Sequence, residues 1–342
     1  MSRAAEPAGP VTSGPAPTPA AHAPATHAPD TAAPRGGPGA GRGRFAGAGR
    51  FGPVGLVLAA GLSVQFGAAM AVTIMPRAGA LGVVCLRLTF AALVLLIVCR
   101  PRLRGHRRAD WGTVVAFGLA LAGMNGFFYQ AIDRIPLGPA VTLEVLGPLA
   151  LSVLVSRRWS NLLWAGLALA GVVLLSGHGG QGLGFASLDP VGAVYALAAG
   201  AMWAAYIVFA ARTGSRFPQA DGLALAMAIA AVVCLPFGIA DGGSALLNPT
   251  TLALGLGVAL MSSVLPYTLE LVALRRLPAQ TFAVLMSLEP AIAAVAGFLV
   301  LGQAMSWTDA LAISLVIAAS IGAVRAQSAR AAKVAKAAPR EV

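Results

Sequence analysis

The chain has 342 residues, 58% of them hydrophobic and 11% charged, with mean hydropathy +0.80. So little charge cannot keep a globular surface wet, which excludes a soluble protein. The net charge of +12 is spread in short clusters between apolar runs, a topology signal rather than a nucleic-acid-binding stripe.

Residues 1–50 are rich in Ala, Pro and Gly and cannot bury enough apolar surface to offset their ordering entropy, so a disordered tail is expected. They contain no compact apolar stretch of the kind that marks a signal peptide. Ten apolar runs follow, at 53–75, 81–99, 111–131, 137–156, 160–177, 190–211, 219–239, 251–272, 279–301 and 308–324. Each is about long enough to cross a hydrocarbon core of roughly 30 Å. The runs are continuous rather than alternating, which predicts helices and not a barrel. A polar, basic tail closes the chain at 326–342.

Loop charges orient these spans. With both termini inside, 21 basic residues fall on the cytoplasmic side, against Arg77 and Arg134 outside, and Arg87 remains within a span. The positive-inside rule then predicts cytoplasmic termini. The segment "RIPLGPAVTLEVLGPL" (134–149) aligns without gaps on "RLPAQTFAVLMSLEPA" (276–291), matching Pro136 with Pro278 and Pro148 with Pro290. Five spans separate the copies, so the second enters the membrane with opposite polarity. The expected fold is therefore an all-α integral membrane protein, with ten transmembrane helices in two inverted five-helix repeats, residues 51–177 and 190–325. This is a transporter architecture with solute bound near the midplane.

Charges within the spans are few because each costs roughly 2.5–3.5 kcal/mol at mid-bilayer. Arg87 and Glu144 lie about 9 and 10 Å from their outer span ends at helical rise, and Gln65 and Asn125 fall near the same layer. In one reading Arg87 and Glu144 neutralise each other as a structural pair. In the other they line a water-filled cavity, where Arg87 faces a solute carboxylate and Glu144 an ammonium group or a coupling proton. Gln65 and Asn125 then orient the solute, or else serve as interhelical glue.

Glu289, beside Pro290, either titrates a coupling proton or satisfies local backbone. Glu270 is expected to snorkel to the inner interface, Asp221 and Asp309 to lie at span ends, and Tyr129 to anchor the outer interface. Trp203 and Tyr267 are expected to wall the cavity, while Gly118, Gly123, Gly166, Gly171, Ala199 and Gly200 permit close helix approach. Cys85, Cys99 and Cys234 are small packing residues. The four histidines lie outside the spans, so no metal site and no cofactor are expected. Paired intramembrane aspartates, a Ser–His pair, HExxH and a phosphate-binding GxxxxGK[ST] loop do not occur in the spans, which argues against an enzyme or an ATP-driven pump.

Several of these stretches carry a resemblance. "MNGFFYQAIDRIPLG", "LEVLGPLA", "AAGAMWAAYI" and "SSVLPYTLELVALRRLPAQTFAVLMSLEPAIAAVAGFLVLGQ" resemble the EamA-type branch of the drug/metabolite transporters, and within it the bacterial threonine/homoserine exporters. The likeness runs from residue 53 to about 325. It implies export of threonine, homoserine or similar amino acids across the bacterial cytoplasmic membrane, driven by protons. The alternative is export of another metabolite on the same fold, such as other amino acids, purines or drugs. The implied partners are the solute, protons and the bilayer, without nucleic acid, and with room for a homodimer. Members of that subgroup often carry a lysine near the "VTIMP" segment, where this chain has Val72, and they lack a comparably long N-terminal tail.

Overall fold

The computed structural model describes residues 52–103, 107–156, 189–217, 221–274 and 285–337, with 163, 164, 166–168, 170, 171 and 282 between them. The predicted N-terminal tail and most of the predicted span 160–177 lie outside the described residues. Every regular element described is helical, as a backbone without water to satisfy it requires. Helices α1 (Pro53–Ala78), α2 (Ala80–Cys99), α3 (Arg108–Ile132) and α6 (Pro190–Gly214) are each long and apolar enough to cross a membrane. So are α7 (Asp221–Gly242), which continues into a 3-10 turn at Gly243–Leu247, and the segment Pro249–Glu270. These six coincide with six of the ten predicted spans.

Several predicted spans, the 251–272 run among the six included, differ from single straight helices. The run 137–156 is divided into α4 (Leu137–Glu144) and α5 (Leu146–Ser156) at Val145. Pro148 has no N–H, so the Glu144 carbonyl loses its helical donor at the break. The run 251–272 is composite, with α8 (Pro249–Ala259), a π turn (Leu260–Val264) and α9 (Leu265–Leu274). Only the later part of 279–301 is described, and there α10 (Glu289–Leu301) starts after a turn at Ser287–Leu288. Pro290 falls in the first turn of α10, where its missing donor costs nothing. The last run lies within α11 (Trp307–Ala337), whose backbone stays helical into the basic tail.

The two halves of the chain interleave. α3 lies along α6 and α7, and α2 along α7 and α8, while α1 packs on α8, the π turn, α9 and α10. α4 and α5 both pack on α6, and α4 also meets α10. Such close approach depends on small residues. A Cβ on Gly147 would strike the Gly200 carbonyl, and one on Gly200 would meet the Glu144 carbonyl at 2.5 Å. Gly118 and Gly123 are likewise closed off, by Ile229 and Met202. Gly166 differs from expectation, since a Cβ there meets nothing described within 4 Å. Gly147→Ala should therefore force backbone apart and lower the thermal midpoint of the purified protein, at an overpacking cost of about 1–3 kcal/mol. Gly166→Ala should leave the midpoint unchanged in the same melt.

Polar contacts tie the halves together at the helix ends. At one end Arg216 pairs with Asp110 at 3.2 Å, and the Arg102 N–H donates to the buried Asp221 carboxylate at 3.3 Å. At the opposite end of α2 the Leu81 N–H donates to Asp241 at 2.8 Å. The Asp241 carboxylate fills the space a Cβ on Gly79 would need, and Gly79 itself has φ +69°. Arg134 pairs with Asp189 at 3.1 Å, and Asp189 also caps α6 through the Val191 N–H. The Val191 bond and then the Arg134 guanidinium hold the Asp189 carboxyl below the usual carboxylate range. Asp309, at a span end as predicted, is buried and accepts from the Ser306 N–H and hydroxyl to start α11.

Candidate functional site: a cavity lined by one guanidinium and three carboxyls

A cavity of about 520 Å³ opens among these helices, a size suited to a small-molecule ligand. Gln65 from α1, Arg87 from α2, Asn125 from α3, Glu144 from α4, Trp203 from α6 and Tyr267 from α9 all line it, and so does Glu289 from α10. Depth counted along isolated spans placed some of these residues in one layer. Packing brings all seven around one space.

Arg87 is 8% exposed and makes three side-chain hydrogen bonds. Its Nε donates to Ser263 Oγ at 3.2 Å, Nη1 to the Tyr129 hydroxyl at 3.2 Å, and Nη2 to the Ser262 carbonyl at 3.0 Å. The guanidinium also lies 5.4 Å from the centre of the Tyr129 ring, within cation–π range. The local sequence explains the acceptors. Pro266 lacks the N–H that the Ser262 carbonyl in an α-helix, or the Met261 carbonyl in a π turn, would accept from. Arg87 serves the first of these carbonyls, and Ser63 Oγ serves the second at 2.6 Å. A guanidinium has five N–H donors, so two remain for a solute.

Arg87 and Glu144 are both described, and no ion pair joins them. The structural-pair reading is thus corrected, because serine, tyrosine and an orphaned carbonyl satisfy the guanidinium. Tyr129 is also corrected. It is fully buried against Arg87 rather than anchored at an interface. Glu270 is a third correction, for it is half-buried and lines the cavity instead of snorkelling outward.

Glu144 ends α4 and Glu289 begins α10, so both carboxyls sit where a helix is interrupted. Such interruptions present backbone groups as well as side chains to a cavity. Asn125 gives one of its two amide N–H donors to the Leu121 carbonyl at 2.9 Å, leaving its oxygen and its second N–H for a solute. Gln65 Oε1, Ser262 Oγ and Ser320 Oγ are buried without a protein partner, and all three residues line the cavity. Sequence reasoning missed Ser262, Ser263, Ser320 and Tyr206 at the site. Serines inside apolar runs carry no periodic signal, although Pro266 four residues beyond Ser262 marks the carbonyl that Arg87 reaches.

Residues 190–325 match the model of the EamA-like transporter family. Over 270 residues the chain is 41% identical to the threonine/homoserine exporter RhtA of Salmonella typhimurium strain LT2, covering 79% of this chain and 90% of that one. The chain belongs to the EamA-like transporter family. The RhtA of Escherichia coli K12, also a threonine/homoserine exporter, is 40% identical over the same share of each chain. A crystal structure of a protein 20% identical to this EamA-like chain superposes with TM-score 0.51, covering 78% of this chain and 96% of that one, and shows the likeness in fold. The two RhtA relatives are transporters and not enzymes. Among the described residues, six helices of this chain are long and apolar enough to cross a membrane, and five of them line the cavity.

Proposed function

We propose that this EamA-like protein exports small amino acids such as threonine and homoserine across the bacterial cytoplasmic membrane, in exchange for protons. The observation that carries this reading is the cavity itself, whose lining brings together a guanidinium with spare donors and carboxyls that no described ion pair neutralises. A zwitterion matches that arrangement. Its carboxylate meets Arg87, its ammonium group meets Glu144, and Gln65 and Asn125 offer oxygens to its remaining donors. Trp203 and Tyr267 form the wall. The relatives named threonine/homoserine exporters support the choice of solute.

The protein operates as ten helices in two inverted five-helix repeats. The packing supports this, because it pairs elements as a two-fold axis in the membrane plane would. α1 packs on α8, α9 and α10, just as α6 packs on α3, α4 and α5, and α2 packs on α7. Both termini are cytoplasmic, as the excess of basic residues in the inner segments requires. In that orientation Phe282 and Val324, which line the cavity, fall near the cytoplasmic ends of their spans, which supports entry of solute from the cytoplasm. Glu144 and Glu289 carry the coupling proton, since an acidic side chain within a membrane cavity is the common element of proton relays.

Inverted membrane vesicles containing the protein test this reading. Radiolabelled threonine should accumulate when the lumen is acidic and should fail to accumulate without the gradient, with homoserine competing. If neither amino acid accumulates or competes, the solute assignment fails. If threonine accumulates equally without a gradient, proton coupling fails.

A further inference from the structure

The cavity contains one more acid than threonine export uses. Glu144 and Glu289 are assigned above, but Glu270 lines the same space from α9. It lies eight residues beyond Ser262, the residue whose carbonyl holds the Arg87 guanidinium. At helical rise this separates Glu270 from the Arg87 contact by at most about 12 Å along the element. The Arg87 guanidinium is held by a serine hydroxyl, the Tyr129 hydroxyl and a carbonyl, and the same lining carries Glu270 and the aromatic rings of Tyr206, Tyr267 and Phe282. Tyr206 is held in place by Phe117, with ring centres 5.1 Å apart. The Glu270 charge reaches Tyr206 and Tyr267, and Tyr267 lies within reach of the Arg87 charge as well.

A carboxylate among aromatic faces is a receptor for an ammonium group, which takes both ion-pair and cation–π attraction. We propose that Glu270, Tyr206 and Tyr267 form a second cation subsite, so that the cavity also takes dibasic amino acids. Such a solute has one carboxylate for Arg87, an α-ammonium group for Glu144 and a side-chain ammonium group for Glu270. Its length fits. Six bonds separate the carboxylate carbon of lysine from its terminal nitrogen, about 7.5 Å when extended. Adding a charge-assisted hydrogen bond of about 2.8 Å at either end gives roughly 13 Å, enough to bridge the gap. Threonine spans only about 4 Å and, held at Arg87, stops short of Glu270.

This inference rests on the amino-acid export reading, and its test separates the two. In inverted vesicles, lysine and ornithine should compete with radiolabelled threonine, and radiolabelled lysine should itself accumulate. Glu270→Gln should weaken lysine competition by about tenfold or more relative to homoserine competition measured in the same vesicles. Glu270→Asp should recover part of the lysine competition. The proposal is overturned if wild-type protein accumulates threonine but lysine and ornithine neither compete nor accumulate. It is also overturned if Glu270→Gln impairs threonine and lysine equally, or if it removes only the response to the pH gradient, for Glu270 is then a coupling group. A wild type that accumulates no threonine refutes the export reading instead.

Discussion

Arg87→Ala is expected to reduce threonine transport by about 100-fold or more, the loss that follows when one partner of a desolvated charge pair is removed. The change takes away the only guanidinium that lines the cavity among the described residues. It also strips the donor from the Ser262 carbonyl, which Pro266 has already deprived of its helical partner, at a cost of about 1–3 kcal/mol to the fold. The two consequences separate experimentally. Vesicle transport normalised to the amount of protein in the membrane reports the first, and a thermal melt in detergent reports the second. Arg87→Lys should not restore transport. A lysine ammonium has no planar fork with which to hold Ser263, Tyr129 and the Ser262 carbonyl while still facing a carboxylate. Normal transport by Arg87→Ala would make Arg87 a packing residue of the contact between α2 and the π turn and nothing more.

Glu144→Gln carries the second large effect. The side chain is nearly isosteric, so the break between α4 and α5 and the close Gly147–Gly200 crossing should survive and the protein should reach the membrane in normal amount. What disappears is an acceptor charge for the solute ammonium group and a site for a proton. Accumulation of threonine against a gradient should fall by about tenfold or more, measured in the same vesicles. Exchange of threonine across the membrane without a pH gradient tells which role dominates. Loss of exchange points to solute binding, and retained exchange points to coupling. Wild-type accumulation and exchange together would remove Glu144 from the site.

The parts of this account that were legible in the sequence are those that depend on composition along one helix. Apolar run length located the six long helices because burial in lipid leaves the backbone no alternative. The cost of a buried charge singled out Arg87, Glu144 and Glu289, and depth alone put Gln65 and Asn125 beside the first two. What was not legible depends on contact between distant segments. The partners of Arg87 on the π turn lie 175 and 176 residues away, and nothing in the span around Arg87 announces them. Tyr129 was misplaced because position near a span end does not reveal whether a side chain faces lipid or protein. Glu270 was misplaced for the same reason, since a cavity reaching toward one end of the bundle turns an interfacial position into a lining one. The interruption at Val145 was half visible. Pro148 announced a weakened hydrogen bond, but the close approach of Gly200 to the Glu144 carbonyl needed the packed structure.

The most direct test of the site is equilibrium binding of radiolabelled threonine to the purified protein, compared between wild type and Arg87→Ala. Saturable binding to wild type, displaced by homoserine and lost in a folded Arg87→Ala protein, is the expected result. Threonine binding of equal affinity in both proteins would contradict the assignment of the Arg87 cavity as the place where the solute sits.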